Sequence, residues 1–85
     1  MKDQFKRAAL SVPLNIAEGS GKNTESDKKK YYAIARGSAM ECAAVCDVLL
    51  LITHDHKQRT THAKKLLRSI VSILSTVLLK DKGKD

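Results

Sequence analysis

The stretch AALSVPLNIAEGSG, Ala8 to Gly21, decides the fold. With Phe5 just upstream, Phe5, Ala9, Val12 and Ile16 fall at helical spacing and form one apolar stripe, which Ala8 widens. Pro13 sits inside that stripe. A proline within a helix removes one backbone hydrogen bond and costs about 3 kcal/mol. The pattern nevertheless continues through Asn15, Ile16 and Ala17. One bent helix over residues 2–18 is therefore predicted, with the bend at Pro13. Gly19 is read as the residue just past the helix end, and Ser20, Gly21 and Asn23 as the connecting loop. Asn15 and Glu18 are read as fixing the bend and the helix end.

Outward from this stretch lies a longer helix, predicted over 25–53. Thr24 is a good N-cap, with Asp27 three residues on, and Glu25 and Asp27 suit the positive end of a helix dipole. Tyr32, Ala35, Ala39, Cys42, Cys46 and Leu49 alternate offsets of three and four, a heptad-like seam. Tyr31, Ile34, Val45, Val48 and Ile52 form a second stripe, so two neighbours are expected. Gly37 and Ser38 lie in mid-helix, where Gly costs about 1 kcal/mol relative to Ala. Close approach of another backbone is the expected compensation. The run THDHKQR, 53–59, interrupts the apolar pattern and reads as a turn. A third helix is predicted over 61–79, on the stripe Ala63, Leu66 or Leu67, Ile70, Leu74, Val77 and Leu78, with a frayed basic tail at 80–85.

The fold class that follows is all-α, an antiparallel up-down helical bundle in a single domain, 1–85. The 85 residues hold no Trp, one Phe and two Tyr, so Ala, Leu, Ile and Val must make the core. A core this small is marginal alone, and self-association is expected. Cys42 and Cys46 stack one turn apart on one helix face, which suits two reduced, buried thiols and a cytoplasmic protein. No apolar run is long enough to span a bilayer, and no signal peptide is expected.

Sixteen Lys and Arg against nine Asp and Glu leave a net charge of +7, which points to an anionic partner such as nucleic acid. Candidate contacts are Lys6, Arg7, Lys28, Lys29, Lys30, Arg36, Lys64, Lys65 and Arg68. Tyr31 and Tyr32 beside the lysine run also fit a basic-aromatic surface, though both equally begin core stripes. Enzyme chemistry finds little support. Glu18 and Glu41 lie near apolar faces, and each is read as paired with a neighbouring arginine, Arg7 or Arg36, or as capping a helix end, not as an acid–base pair. His54, His56 and His62 lack zinc-ligand spacing, so neither a metal nor a cofactor is expected.

The run FKRAALSVPLNIAEGSG, Phe5–Gly21, followed by IARGSAMECA, Ile34–Ala43, resembles the bacterial proteins encoded within 23S rRNA intervening sequences. The matching positions are Arg7, Ala8, Ser11, Pro13, Asn15, Ile16, Ala17, Glu18 and Gly19, then Ala35, Gly37, Ser38 and Glu41. The resemblance implies a four-helix up-down bundle and a ring-like homopentamer. Related accessory proteins of diversity-generating retroelements bind nucleic acid and a reverse transcriptase through a basic surface. No catalytic residues come with the family. Three helices of that four-helix plan are expected here, with the family's first helix absent and its acidic turn replaced by THDHKQR. The expected function is non-enzymatic: an oligomeric bundle binding RNA or DNA electrostatically, or alternatively a protein-interaction scaffold without nucleic-acid binding.

Overall fold

The computed structural model describes residues 2–80 as three helices: α1 (Lys2–Ser20), α2 (Glu25–Ile52) and α3 (Lys57–Lys80). The predicted tail beyond Lys80 lies outside the described residues. α1 runs unbroken through Pro13, whose ring is exposed. Downstream of it, Asn15 Nδ2 donates to the Ser11 carbonyl at 2.8 Å and to Ser11 Oγ at 2.9 Å. Asn15 thus adds a side-chain bond to the helical turn that the proline interrupts.

Thr24 caps α2 as its position suggested: its hydroxyl accepts from the Asp27 N–H at 3.1 Å. The expected glycine cap after α1 is not what forms. Gly19 lies within α1, is buried, and has no positive φ. A Cβ there would sit 2.8 Å from Tyr32 Cε1 and 3.2 Å from Tyr31 Cβ. The residue must be glycine for space, because the start of α2 presses on the end of α1. The chain turns instead at Gly21, whose N–H reaches the carbonyls of Ala17 and Glu18.

α3 begins at Lys57, four residues before its predicted start. Thr53 closes α2 by donating its N–H to the Leu49 carbonyl, and its hydroxyl accepts from the Asp55 N–H. His56 adopts a left-handed φ of 59° that reverses the chain. Lys57, Gln58 and Arg59 are then helix formers with exposed side chains. A solvated first turn carries no apolar period, so the pattern alone reads it as loop.

Pairs across the helices show that neighbours run antiparallel. Gln4 meets Glu41, Ser11 meets Ser38, and Gly19 meets Tyr32 between α1 and α2. Asp47 meets Lys64, and Arg36 meets Ser75, between α2 and α3. α2 packs against both partners, while α1 and α3 do not pack against each other. The helices therefore lie side by side in a layer of 47 × 24 × 14 Å instead of closing around a common axis. The buried residues are Ala8 and Val12 of α1, Ala35, Ala39, Cys42 and Cys46 of α2, Leu74 of α3, and Gly19. The heptad-like seam of α2 is the spine of this core.

The second stripe of α2 fares differently: Ile34, Val48 and Ile52 are exposed, as are Leu66, Ile73 and Val77 of α3. Gly37 is also exposed, and a Cβ added there meets nothing within 4 Å. The close backbone approach expected at Gly37 is therefore absent within the chain.

Candidate nucleic-acid interface

Charge is distributed unevenly among the helices. α1 holds three Lys or Arg and two Asp or Glu, and α2 holds four of each. α3 holds six Lys or Arg and no Asp or Glu. Lys57 and Arg59 occupy its first turn, the positive end of the helix dipole, where carboxylates ordinarily stabilise a helix. Six cations with no carboxylate on the same helix, beginning at the wrong end of a dipole and offset only where Asp47 of α2 pairs with Lys64, raise the local potential of this helix above that of the rest of the layer.

The predicted contact residues divide into separate groups. Antiparallel packing puts the start of α1 beside the end of α2, where Phe5, Val45 and Leu49 with Lys2 and Lys6 line an apolar hollow of about 430 Å³. Lys6 and Arg7 thus lie at the same end of the layer as Lys64, Lys65 and Arg68, but on the opposite edge. Lys28, Lys29 and Lys30 begin α2 at the far end, about 30 Å away along the helix. No single surface collects all nine.

Two of the nine make a hydrogen bond or ion pair within the chain. Arg36 Nε donates to Ser75 Oγ, and Lys64 Nζ pairs with Asp47 Oδ1. Lys6, Arg7, Lys30, Lys65 and Arg68 are exposed, and Lys28 and Lys29 half-buried. Sequence reasoning missed Lys57 and Arg59 because it took them for a turn. The signal available was the run without a carboxylate from Lys57 to Lys80.

At the lysine-rich end, the Lys22 ammonium lies 5.1 Å from the Tyr31 ring centroid and the Lys30 ammonium 5.9 Å away. Lys22 also bonds Glu18 at 3.2 Å, and that hydrogen bond, with Tyr31 nearby, raises the lysine's pKa. Tyr32 is packed on Gly19. These contacts make both tyrosines part of the α1–α2 junction.

Of the two roles expected for the glutamates, pairing with an arginine does not form. Glu18 holds Lys22, and Glu41 accepts from Gln4 Nε2 at 3.2 Å. Both are exposed, because each falls at the rim of its helix contact and not within it. A part-buried polar link between α1 and α2 is Ser38 Oγ donating to Ser11 Oγ at 2.8 Å, which also accepts from Asn15. It connects the Pro13 segment to the Gly37 segment, so the two sequence motifs are one contact. Cys42 and Cys46 are free and buried, and burial pushes both thiols up from their ordinary pKa. Among the described residues, no three His, Cys, Asp or Glu side chains gather as metal ligands. No helix among them is long and apolar enough to cross a membrane.

A sequence model of the family described as 23S rRNA-intervening sequence protein matches residues 1–76. No curated protein matches the chain, and no solved structure matches it.

Proposed function

The chain belongs to the 23S rRNA-intervening sequence protein family, and from that premise we propose that it is a non-enzymatic, self-associating helical protein that binds RNA or DNA electrostatically. The observation that carries this reading is α3, with six cations and no carboxylate in 24 residues. A polyanion releases condensed counterions when such a surface docks, which supplies affinity without base recognition. Lys57, Lys65 and Arg68 are the leading contacts, and the lysines at the start of α2 form a second, weaker patch.

Self-association is supported by the apolar surface that the layer leaves uncovered. Leu66, Ile73 and Leu79 of α3 and Leu51 of α2 are each more than half exposed. Gly37 and its exposed neighbours Ala33, Met40 and Ala44 offer a shallow face for a close-packed helix from another copy. A ring-like homopentamer is the assembly that the family resemblance implies. Two reduced thiols in the core suit a cytoplasmic setting.

The test pairs light scattering with fluorescence anisotropy on labelled RNA and DNA at increasing salt. Multimers that bind nucleic acid at low salt and release it at high salt are expected. Multimers with no affinity for nucleic acid at any salt would instead favour the protein-interaction scaffold, for which the same uncovered apolar residues speak.

A further inference from the structure

Resting on the reading of the chain as a nucleic-acid binder, we propose that its partner is duplex DNA, with the outward face of α3 lying lengthwise in the major groove. α3 is an edge helix, packed only on α2. The side of α3 away from its buried Leu74 therefore projects beyond the layer. Along that side Lys57, Thr61, Lys65, Arg68, Ser72 and Thr76 recur at offsets of 4, 4, 3, 4 and 4, and all six are exposed. Helical geometry puts them on one stripe about 28 Å long.

The chemistry of the stripe is uniform. Lys57, Lys65 and Arg68 supply cations and Thr61, Ser72 and Thr76 hydroxyls, with no carboxylate among the six to repel phosphate. Lys, Arg, Ser and Thr are the side chains that bond phosphate oxygens and groove edges of DNA. A helix about 10–12 Å across matches the major groove of B-form DNA, about 12 Å wide. The major groove of A-form RNA is too narrow to admit it. Single strands are held by stacking on aromatic rings, and α3 has no Phe, Tyr or Trp. Of the rings near lysines, Tyr31 has its cation contacts filled by Lys22 and Lys30, and Phe5, beside Lys2 and Lys6, is half-buried in the hollow with Val45 and Leu49.

The experiment measures anisotropy of the full chain with one sequence prepared as duplex DNA, duplex RNA and each single strand. Dimethyl sulfate probing of the duplex DNA then reports guanine N7, which faces the major groove. Duplex DNA is expected to bind at least tenfold more tightly than the other forms, with N7 protected. The Lys65→Gln/Arg68→Gln variant should lose tenfold or more. Ser72→Glu, an exposed change that sets a carboxylate against phosphate, should lose a similar factor, with helicity unchanged by circular dichroism. Equal or tighter binding of duplex RNA or of a single strand overturns the proposal while leaving nucleic-acid binding intact. DNA binding without N7 protection, or undiminished in both variants, overturns it as well. No binding to any of the four ligands overturns the functional reading together with it.

Discussion

Replacing Gly19 by alanine is expected to destabilise the protein, although the change lies inside a helix. In open space the substitution would stabilise by about 1 kcal/mol through helix propensity. At this site the new Cβ would stand 2.8 Å from Tyr32 Cε1, 2.9 Å from Tyr32 Cδ1 and 3.2 Å from Tyr31 Cβ. The phenol ring is rigid, and the Tyr31 Cβ moves only with the α2 backbone, so the α1–α2 junction must open. Overpacking of this kind costs about 1–3 kcal/mol. After the propensity gain, a net loss of about 1 kcal/mol remains, which lowers the melting temperature by roughly 4–8 °C in a domain of this size. Thermal and urea melts followed by far-UV circular dichroism at one fixed protein concentration measure it. Pairing Gly19→Ala with Tyr32→Leu should recover part of the loss, a coupling that independent, distant sites do not show. A melting temperature that rises in the single variant would refute the role assigned to Gly19.

Other expectations follow from the same contacts. Gly37→Ala, with nothing within 4 Å of the added carbon, should raise stability by about 0.5–1 kcal/mol in dilute solution; light scattering at higher concentration should show weaker association if this face packs between copies. Ser11→Ala removes the hydroxyl that accepts from Ser38 and Asn15, leaving Asn15 its bond to the Ser11 carbonyl, and should cost about 1 kcal/mol, and a double-mutant cycle with Ser38→Ala by urea melts should return a non-zero coupling. Cys42 and Cys46 hold their protons more firmly folded than unfolded, because burial raises their pKa. Stability is therefore fully present below the unfolded thiol pKa and declines as pH rises through and above about 9; denaturant midpoints measured from pH 7 to 10 should fall, and thiol labelling at pH 8 should be slow until urea is added.

Much of the architecture was legible because it depends on local period and capping. The seam on α2 is buried from Ala35 through Ala39 and Cys42 to Cys46, with its ends Tyr32 and Leu49 half-buried, Thr24 caps α2, and the helix survives Pro13. What was not legible depends on which helix ends meet. Gly19 looked like a cap because glycine commonly ends helices, and only the approach of Tyr32 shows that it is there for space. Gly37 looked like a packing site, and its surroundings within the chain are empty. Glu41 finds Gln4, thirty-seven residues away, and Ser38 finds Ser11, pairings that no spacing rule anticipates. The cationic residues were recognised individually. Their division between two ends of the layer, and the extension of the α3 run back to Lys57, required the helix order and the true start of α3.

The most direct test of the binding role given to α3 is the salt dependence of nucleic-acid affinity, for the natural chain and for Lys57→Gln/Lys65→Gln/Arg68→Gln. Each phosphate neutralised contributes about −0.9 to the slope of log affinity against log salt on duplex DNA. Three exposed cations on one chain give an expected slope of about −3, falling by about one unit with each charge removed. A slope near zero, or one unchanged in the triple variant, would contradict the assignment of this helix as the nucleic-acid-binding surface.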